Sequence, residues 1–278
     1  MRRRFAEVKR AGRKPSWDGH LLLLYHDESQ RRAEVAAWVR RGLALGAKIL
    51  YIEPQDESPE RSLTGLLRDQ PEAVDALRRG QIQLVQADQA AYDPAWQAGV
   101  VERALRQGYP SVRWSGDATT AWQVLPRPRH ADVERATDEV CRSRPVSVMC
   151  QYPAREAAGI LRHVSAAHCG GLRERLLQVA PTDGGLALSG ELEVCNDTIL
   201  RAVLTAATTT PERDPFVVDL SGLDFLDVSG ARSLTAGTDR YRRLGGHVRL
   251  QSPQPHVDRL IRMLGVDRER GILTEDPR

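Results

Sequence analysis

The chain has 278 residues, 41% of them apolar, and a formal net charge of +3 at pH 7. That length and apolar content suit two ordinary domains, each with a core of its own. Its 40 basic residues nearly balance its 37 acidic ones, so a nucleic-acid-binding surface spread over the whole protein is not implied.

The charge is uneven at the start. Arg2, Arg3, Arg4, Lys9, Arg10, Arg13 and Lys14 face a single Glu7, which reads as a solvated, flexible basic tail over 1–17 rather than a nucleic-acid or membrane arm. The tail lacks the apolar stretch of a secretory signal. The longest aliphatic run, LLLLY at 21–25, is far too short to span a bilayer. A cytoplasmic location is expected, and the widely spaced Cys141, Cys150, Cys169 and Cys195, with no CxxC pair, fit reduced thiols.

From residue 20 to 54 the chain reads strand, loop, helix, strand. Val35, Val39 and Leu43 recur at helical spacing beside Trp38, Gly46 stops the helix, and AKILYIEP is an aliphatic strand ended by Pro54. The alternation continues with a helix over 59–79 and a strand at 80–87, then a helix over 94–107 and a strand at 109–118. A helix over 130–143, a strand at 145–153 and a short helix over 154–167 follow. Continuous apolar strands between amphipathic helices predict a parallel sheet covered on both faces.

Paired glycines, charges and a proline break this pattern between 168 and 182, and the domain boundary is expected there, with 169–182 as a linker. Beyond it, 185–194 reads as a hairpin or edge strand and 196–208 as a helix. PFVVDLSG (215–222) reads as a central strand and 229–246 as a helix ended by Gly245 and Gly246. HVRLQSP (247–253) is a further strand, and 255–264 is a helix with Val257, Leu260, Ile261 and Leu264 on one stripe.

Three blocks of this second part, LSGELEV, PFVVDLSGLDFLDVSGARSLTAG and GGHVRLQSPQPHVDRLIRMLGVD, resemble a STAS domain, the fold of bacterial anti-sigma factor antagonists. The resemblance implies a small α/β domain, placed at 183–278, that binds an anti-sigma factor, commonly a GHKL-type serine kinase. It further implies a phosphate acceptor at the start of the helix after the central strand, where added negative charge would abolish docking. The sequence departs from the family here. In the family the acceptor directly follows the Asp, and Val228, which has no hydroxyl, follows Asp227; Ser229 matches the second hydroxyl position. A Ser before a helix most often caps it, which is the expectation for Ser229, with phosphorylation as the alternative. Asp227 is a cap or a contact, and Gly230 permits close backbone approach.

The blocks HLLLLYHDESQRRAEVAAWVRRGLALGAKILYIEP, GQIQLVQADQAAYD, GYPSVRWSGDATTAW, VMCQYP and HVSAAH resemble the MEDS sensory domain. This implies a RecA-like, three-layer parallel-sheet domain over 18–168 that senses a small-molecule ligand, small hydrocarbon derivatives having been suggested for the family. The loop after the first strand, YHDESQRR, has no glycine and no lysine of the kind that cradles phosphate, which argues against nucleotide hydrolysis. Arg31 and Arg32 are expected as surface charge. His26, Asp27, Glu28, Glu53, Ser115, Gly116, Asp117, Gln151 and Tyr152 fall at strand ends, where open parallel sheets bind ligands, and form the candidate pocket. Cys150, His163, His168 and Cys169 raise a metal or haem question. His168 and Cys169 are adjacent and His163 lies five residues earlier, a poor chelating set. No metal and no cofactor are therefore expected, and Cys150 is read as packed or redox-reactive. Trp96, Trp114 and Trp122 are read as core or pocket wall.

The expected function is a cytoplasmic, non-enzymatic signalling regulator of the anti-sigma factor antagonist type, in which the sensory domain modulates STAS docking. A STAS scaffold without phospho-switching is the alternative, followed by a degenerate P-loop ATPase or a redox protein using Cys150. The partners expected are an anti-sigma factor or GHKL-type serine kinase, a small-molecule ligand and a second copy in a homodimer. Neither nucleic acid nor a membrane is expected.

Overall fold

The computed structural model describes residues 18–53, 58, 62–157, 168–212 and 214–274. The basic tail and His163 lie outside them. The chain forms two compact units. One holds the described residues up to 157 together with 168–170, and the other begins at Gly171.

In the first unit, β1 (His20–Tyr25), β2 (Lys48–Glu53), β3 (Ile82–Gln86), β4 (Val112–Asp117) and β5 (Val146–Pro153) are all parallel, in the order β1-β5-β4-β2-β3. Every residue of β1 and β2 is buried, as unbroken aliphatic runs require when both faces of a sheet are covered. On one face Leu21, Leu23, Ile49 and Met149 pack against Val35, Trp38 and Val39 of α1 (Glu28–Ala44) and Ala73 and Ala76 of α3 (Pro71–Arg78). On the other, Leu50, Val112, Trp114 and Val148 pack against Val100, Val101 and Ala104 of α4 (Pro94–Arg106) and Val133 of α6 (Arg127–Ser143). The alternation of β5 thus sends Val146, Val148 and Cys150 to the α6 side and Met149 to the α1 side.

The helix expected over 59–79 is divided. A single turn, α2 (Leu63–Leu66), is followed by α3, because Pro71 has no N–H to continue a helix and instead occupies the first turn of a new one. Two further short helices, α5 (Ala118–Val124) after β4 and α7 (Ala154–Ala157) after β5, complete the described elements of this unit.

The second unit corrects the linker expectation. The stretch 169–182 contains two strands, β6 (Gly171–Arg173) and β7 (Leu177–Thr182), with β7 antiparallel to both β6 and β8 (Gly185–Leu192). Asp183 and Gly184, just past the expected linker, join β7 to β8 as a two-residue hairpin, with Gly184 at φ +90°. Strands β8, β9 (Phe216–Leu226), β10 (Val248–Gln251) and β11 (Ile272–Thr274) then run parallel in that order. They are connected through α8 (Asp197–Ala207), α9 (Val228–Arg243) and α10 (Pro255–Met263).

Helices α8 and α9 meet at Gly237, where an added Cβ would sit 2.8 Å from Leu204 Cβ and 3.2 Å from Arg201 Cα. Alanine is worth about 1 kcal/mol over glycine in a helix, and overpacking a tight contact costs about 1–3 kcal/mol. Packing wins at this site. Gly237→Ala is expected to lower the urea-unfolding midpoint; an unchanged or raised midpoint would show that the contact yields.

Candidate functional site

The inward stripe of α6 is polar. His130, Glu134 and Asp138 stand four residues apart and are all buried, so one helix face carries three ionisable groups into the unit. They meet side chains from the sheet face that α6 covers. His20 Nε2 lies 3.0 Å from Glu134 Oε2 and 3.3 Å from Cys150 Sγ, and the Cys150 thiol donates to the same Glu134 oxygen over 3.3 Å. His168 Nε2 approaches that oxygen at 3.4 Å, and its ring stacks on His20 with centroids 4.0 Å apart. Among the described residues, one ligand atom from each of His20, Glu134, Cys150 and His168 lies within 4.8 Å of all the others.

A second layer holds these groups. Tyr152 donates its hydroxyl to Glu134 Oε1 at 2.6 Å, and His130 Nε2 is 3.2 Å from the same atom. Asp138 faces His20 Nδ1 at 3.6 Å, and it accepts from the Cys169 backbone N–H at 2.8 Å and from Arg142 at 2.7 Å. Burial by itself would lower the His20 imidazole; Asp138 and Glu134 outweigh it and raise its pKa to about 9. Burial pushes the Glu134 carboxyl up, but His168, His20 and His130 together hold it well below the usual carboxylate range. The Cys150 thiol is pushed well up, first by burial and then by Glu134. A small, partly open cleft lies beside the cluster, lined in part by Cys150, Glu134, His130, Trp114 and Tyr92.

The candidate pocket residues divide into separate groups. His26, Asp27 and Glu28 are exposed; Asp27 accepts from Gln30 N–H at 2.8 Å as the N-cap of α1, and Glu28 pairs with Arg31 at 2.9 Å. The helix start where a phosphate would sit is therefore occupied by carboxylates. Arg31, expected on the surface, is 1% exposed, because its Nη1 donates to Tyr51 and Gln151 at 3.1 Å each. Gln151 in turn donates to Ser115 at 2.8 Å. This network lies on the α1 side of the sheet, opposite the α6 cluster. Glu53 caps the start of α2 through the Leu63 N–H. Asp117 accepts from Tyr25 at 2.6 Å and lines the cleft with Gly116. Of the proposed pocket set, Tyr152 reaches the cluster directly.

In the second unit, Asp227 is the N-cap of α9, accepting from Gly230 N–H at 2.7 Å, and its other oxygen accepts from Val194 N–H at 3.1 Å. This corrects the expectation for Ser229, which lies inside the helix as its second residue. Asp reaches the orphan N–H first because it precedes the first helical residue. Gly230 is required at its position, since a Cβ would stand 2.5 Å from Leu192 O. Around this clamp Val194, Phe225 and Val228 are exposed by 66%, 45% and 44%.

A model of the MEDS family, the methanogen/methylotroph, DcmR sensory domain, matches residues 19–169. The chain belongs to the MEDS family. A STAS-domain model, described as Mlab, STAS domain, matches residues 165–275, so a STAS domain follows the MEDS domain. Two strains of Mycobacterium tuberculosis, CDC 1551 / Oshkosh and ATCC 25618 / H37Rv, each have an anti-sigma-F factor antagonist RsfA that is 39% identical to this chain over 79 residues. The match spans 27% of this chain and 60% of those relatives. All these matches are to regulatory proteins, and no helix among the described residues is long and apolar enough to cross a membrane.

The MEDS cluster draws on four separate stretches of sequence, and spacing along the chain does not reveal it. The one local signal was His130, Glu134 and Asp138 sharing a helix stripe with Val133 and Thr137. Replacing Glu134 by Gln removes one of the two buried countercharges of His20, and is expected to cost about 3 kcal/mol in urea unfolding. A change under about 0.5 kcal/mol would show that the ion pairs contribute nothing net. In the STAS domain, Asp227→Ala is expected to cost about 1–2 kcal/mol through loss of the cap and of the tie to Val194. An unchanged unfolding midpoint would refute that role.

Proposed function

We propose that this protein is a cytoplasmic signalling regulator of the anti-sigma factor antagonist type. Its MEDS domain senses a small-molecule ligand and its STAS domain docks onto an anti-sigma factor, commonly a GHKL-type serine kinase. The boundary between the two falls near residue 170. One observation carries the reading: Val194, Phe225 and Val228 leave an exposed apolar edge around the Asp227 clamp, in a chain that is similar to anti-sigma-F factor antagonists. Apolar side chains held rigidly in water at a helix start favour burial against a partner.

Val228 at the acceptor position also supports docking without phosphate control, whether onto an anti-sigma factor or within a larger assembly. Ser229 is half-buried, whereas Val228 is exposed, so a kinase reaches position 228 more readily. For the sensor to act, its ligand must bind one state of the protein more tightly than another.

The test uses an anti-sigma kinase captured from the source organism on the immobilised full chain. Val228→Asp is expected to weaken binding about tenfold or more, the equivalent of about 1.4 kcal/mol. With ATP present, wild type and Ser229→Ala are expected to take up no phosphate and Val228→Ser to take it up. Phosphate on wild type that is lost in Ser229→Ala would overturn the unswitched reading, and binding unaffected by Val228→Asp would overturn the docking edge.

A further inference from the structure

We infer that His20, Glu134, Cys150 and His168 form a four-ligand site for a divalent zinc-type metal ion in the MEDS domain. This inference rests on the geometry of one unit and is independent of the anti-sigma reading.

The distances fit an ion. A tetrahedral metal with bonds of about 2.0–2.3 Å to nitrogen, oxygen and sulfur holds its donor atoms about 3.3–3.6 Å apart. His20 Nε2 to Glu134 Oε2, His20 Nε2 to Cys150 Sγ, Cys150 Sγ to Glu134 Oε2 and His168 Nε2 to Glu134 Oε2 measure 3.0, 3.3, 3.3 and 3.4 Å. The two remaining donor pairs, both involving His168, lie within 4.8 Å, so the four donors face one common space. The charge also fits. Two neutral imidazoles, a carboxylate and a thiolate sum to −2, which a divalent ion neutralises, and a buried site requires that compensation. On binding, the Cys150 thiol and the His20 imidazolium each give up a proton to solvent, and the metal takes the place of those protons on the sulfur and on Nε2. Imidazole and thiolate ligands together select zinc-class ions over magnesium or calcium, which take oxygen.

The second layer is of the kind that metal sites use. A ligand histidine commonly presents its other ring nitrogen to a carboxylate, and His20 Nδ1 faces Asp138. The non-ligating oxygen of Glu134 is fixed by Tyr152 and His130, which leaves Oε2 directed at the other three donors. Cys150 also borders the cleft, so a small thiophilic molecule or oxidant entering there would meet the metal–sulfur bond first.

The experiment equilibrates the full chain with Zn²⁺ or Co²⁺, removes the excess, and measures metal content and the cobalt absorption spectrum. Expected are one metal per chain, a sulfur-to-cobalt charge-transfer band and tetrahedral visible bands. Cys150→Ser is expected to abolish the charge-transfer band and His168→Ala to lower zinc affinity about tenfold or more, each with an unchanged circular dichroism spectrum. Cys195→Ser, which alters a thiol of the other unit, is expected to change neither. Should a variant fail to fold, the wild-type chain still decides the matter: Zn²⁺ is expected to slow alkylation of Cys150, read by peptide mass spectrometry. Metal well below one per chain, a charge-transfer band that survives Cys150→Ser, or alkylation of Cys150 at the same rate with and without Zn²⁺ would each overturn the site.

Discussion

The MEDS domain is organised around one buried carboxylate. Glu134 is 3% exposed, and a charge removed from water to that extent persists only where every lone pair is met. Here one oxygen faces His20, His168 and Cys150 while the other faces Tyr152 and His130. Those partners come from the first strand, the fifth strand, the α6 stripe and the residues just before the second unit. Satisfying a single side chain therefore fixes the packing of α6 on the sheet and the return of the chain at His168.

The period of two along β5 keeps two polar systems apart. Cys150 and Tyr152 enter the Glu134 cluster, whereas Gln151 points to the opposite face and joins Arg31, Tyr51 and Ser115. Adjacent residues in sequence thus belong to different chemistry. The Arg31 guanidinium is held by Glu28, Tyr51 and Gln151. With Asp27 and Glu28 at the start of α1, the place where a nucleotide-binding relative would hold phosphate is acidic and internally satisfied.

The STAS domain shows a similar economy. Asp227 serves both the first turn of α9 and the chain leading into α8, and Gly230 lets Leu192 approach where any side chain would collide. These two residues tie the start of α9 to the chain leading into α8 and to Leu192, and Val194, Phe225 and Val228 stand exposed around that tie. Ser229 is placed by this arrangement inside the helix, one residue too late to cap it.

Hydrophobic runs and helical periodicity made the five parallel strands of the MEDS domain and the succession of strands and helices between residues 185 and 264 legible in the sequence, because burial on both faces of a sheet dictates composition locally; the short last strand at Ile272–Thr274 carried no such signal. Both family resemblances were legible for the same reason, being carried by contiguous blocks. Local chemistry was ambiguous in three places. Asp183-Gly184 suits a break or a hairpin, Pro71 ends one helix or starts another, and an Asp and a Ser two residues apart compete for one cap. The tertiary structure decided each, since the choice depends on whether β7 finds a partner and on which residue precedes the first helical turn. Only the folded chain could assemble His20, Glu134, Cys150 and His168. They are separated by as many as 148 residues, and His168 and Cys169, conspicuous as neighbours in sequence, diverge so that one ring stacks on His20 while the other residue's backbone binds Asp138. Sequence determines which segments must be buried; which buried polar groups then meet is set by strand order and helix packing, and neither is local.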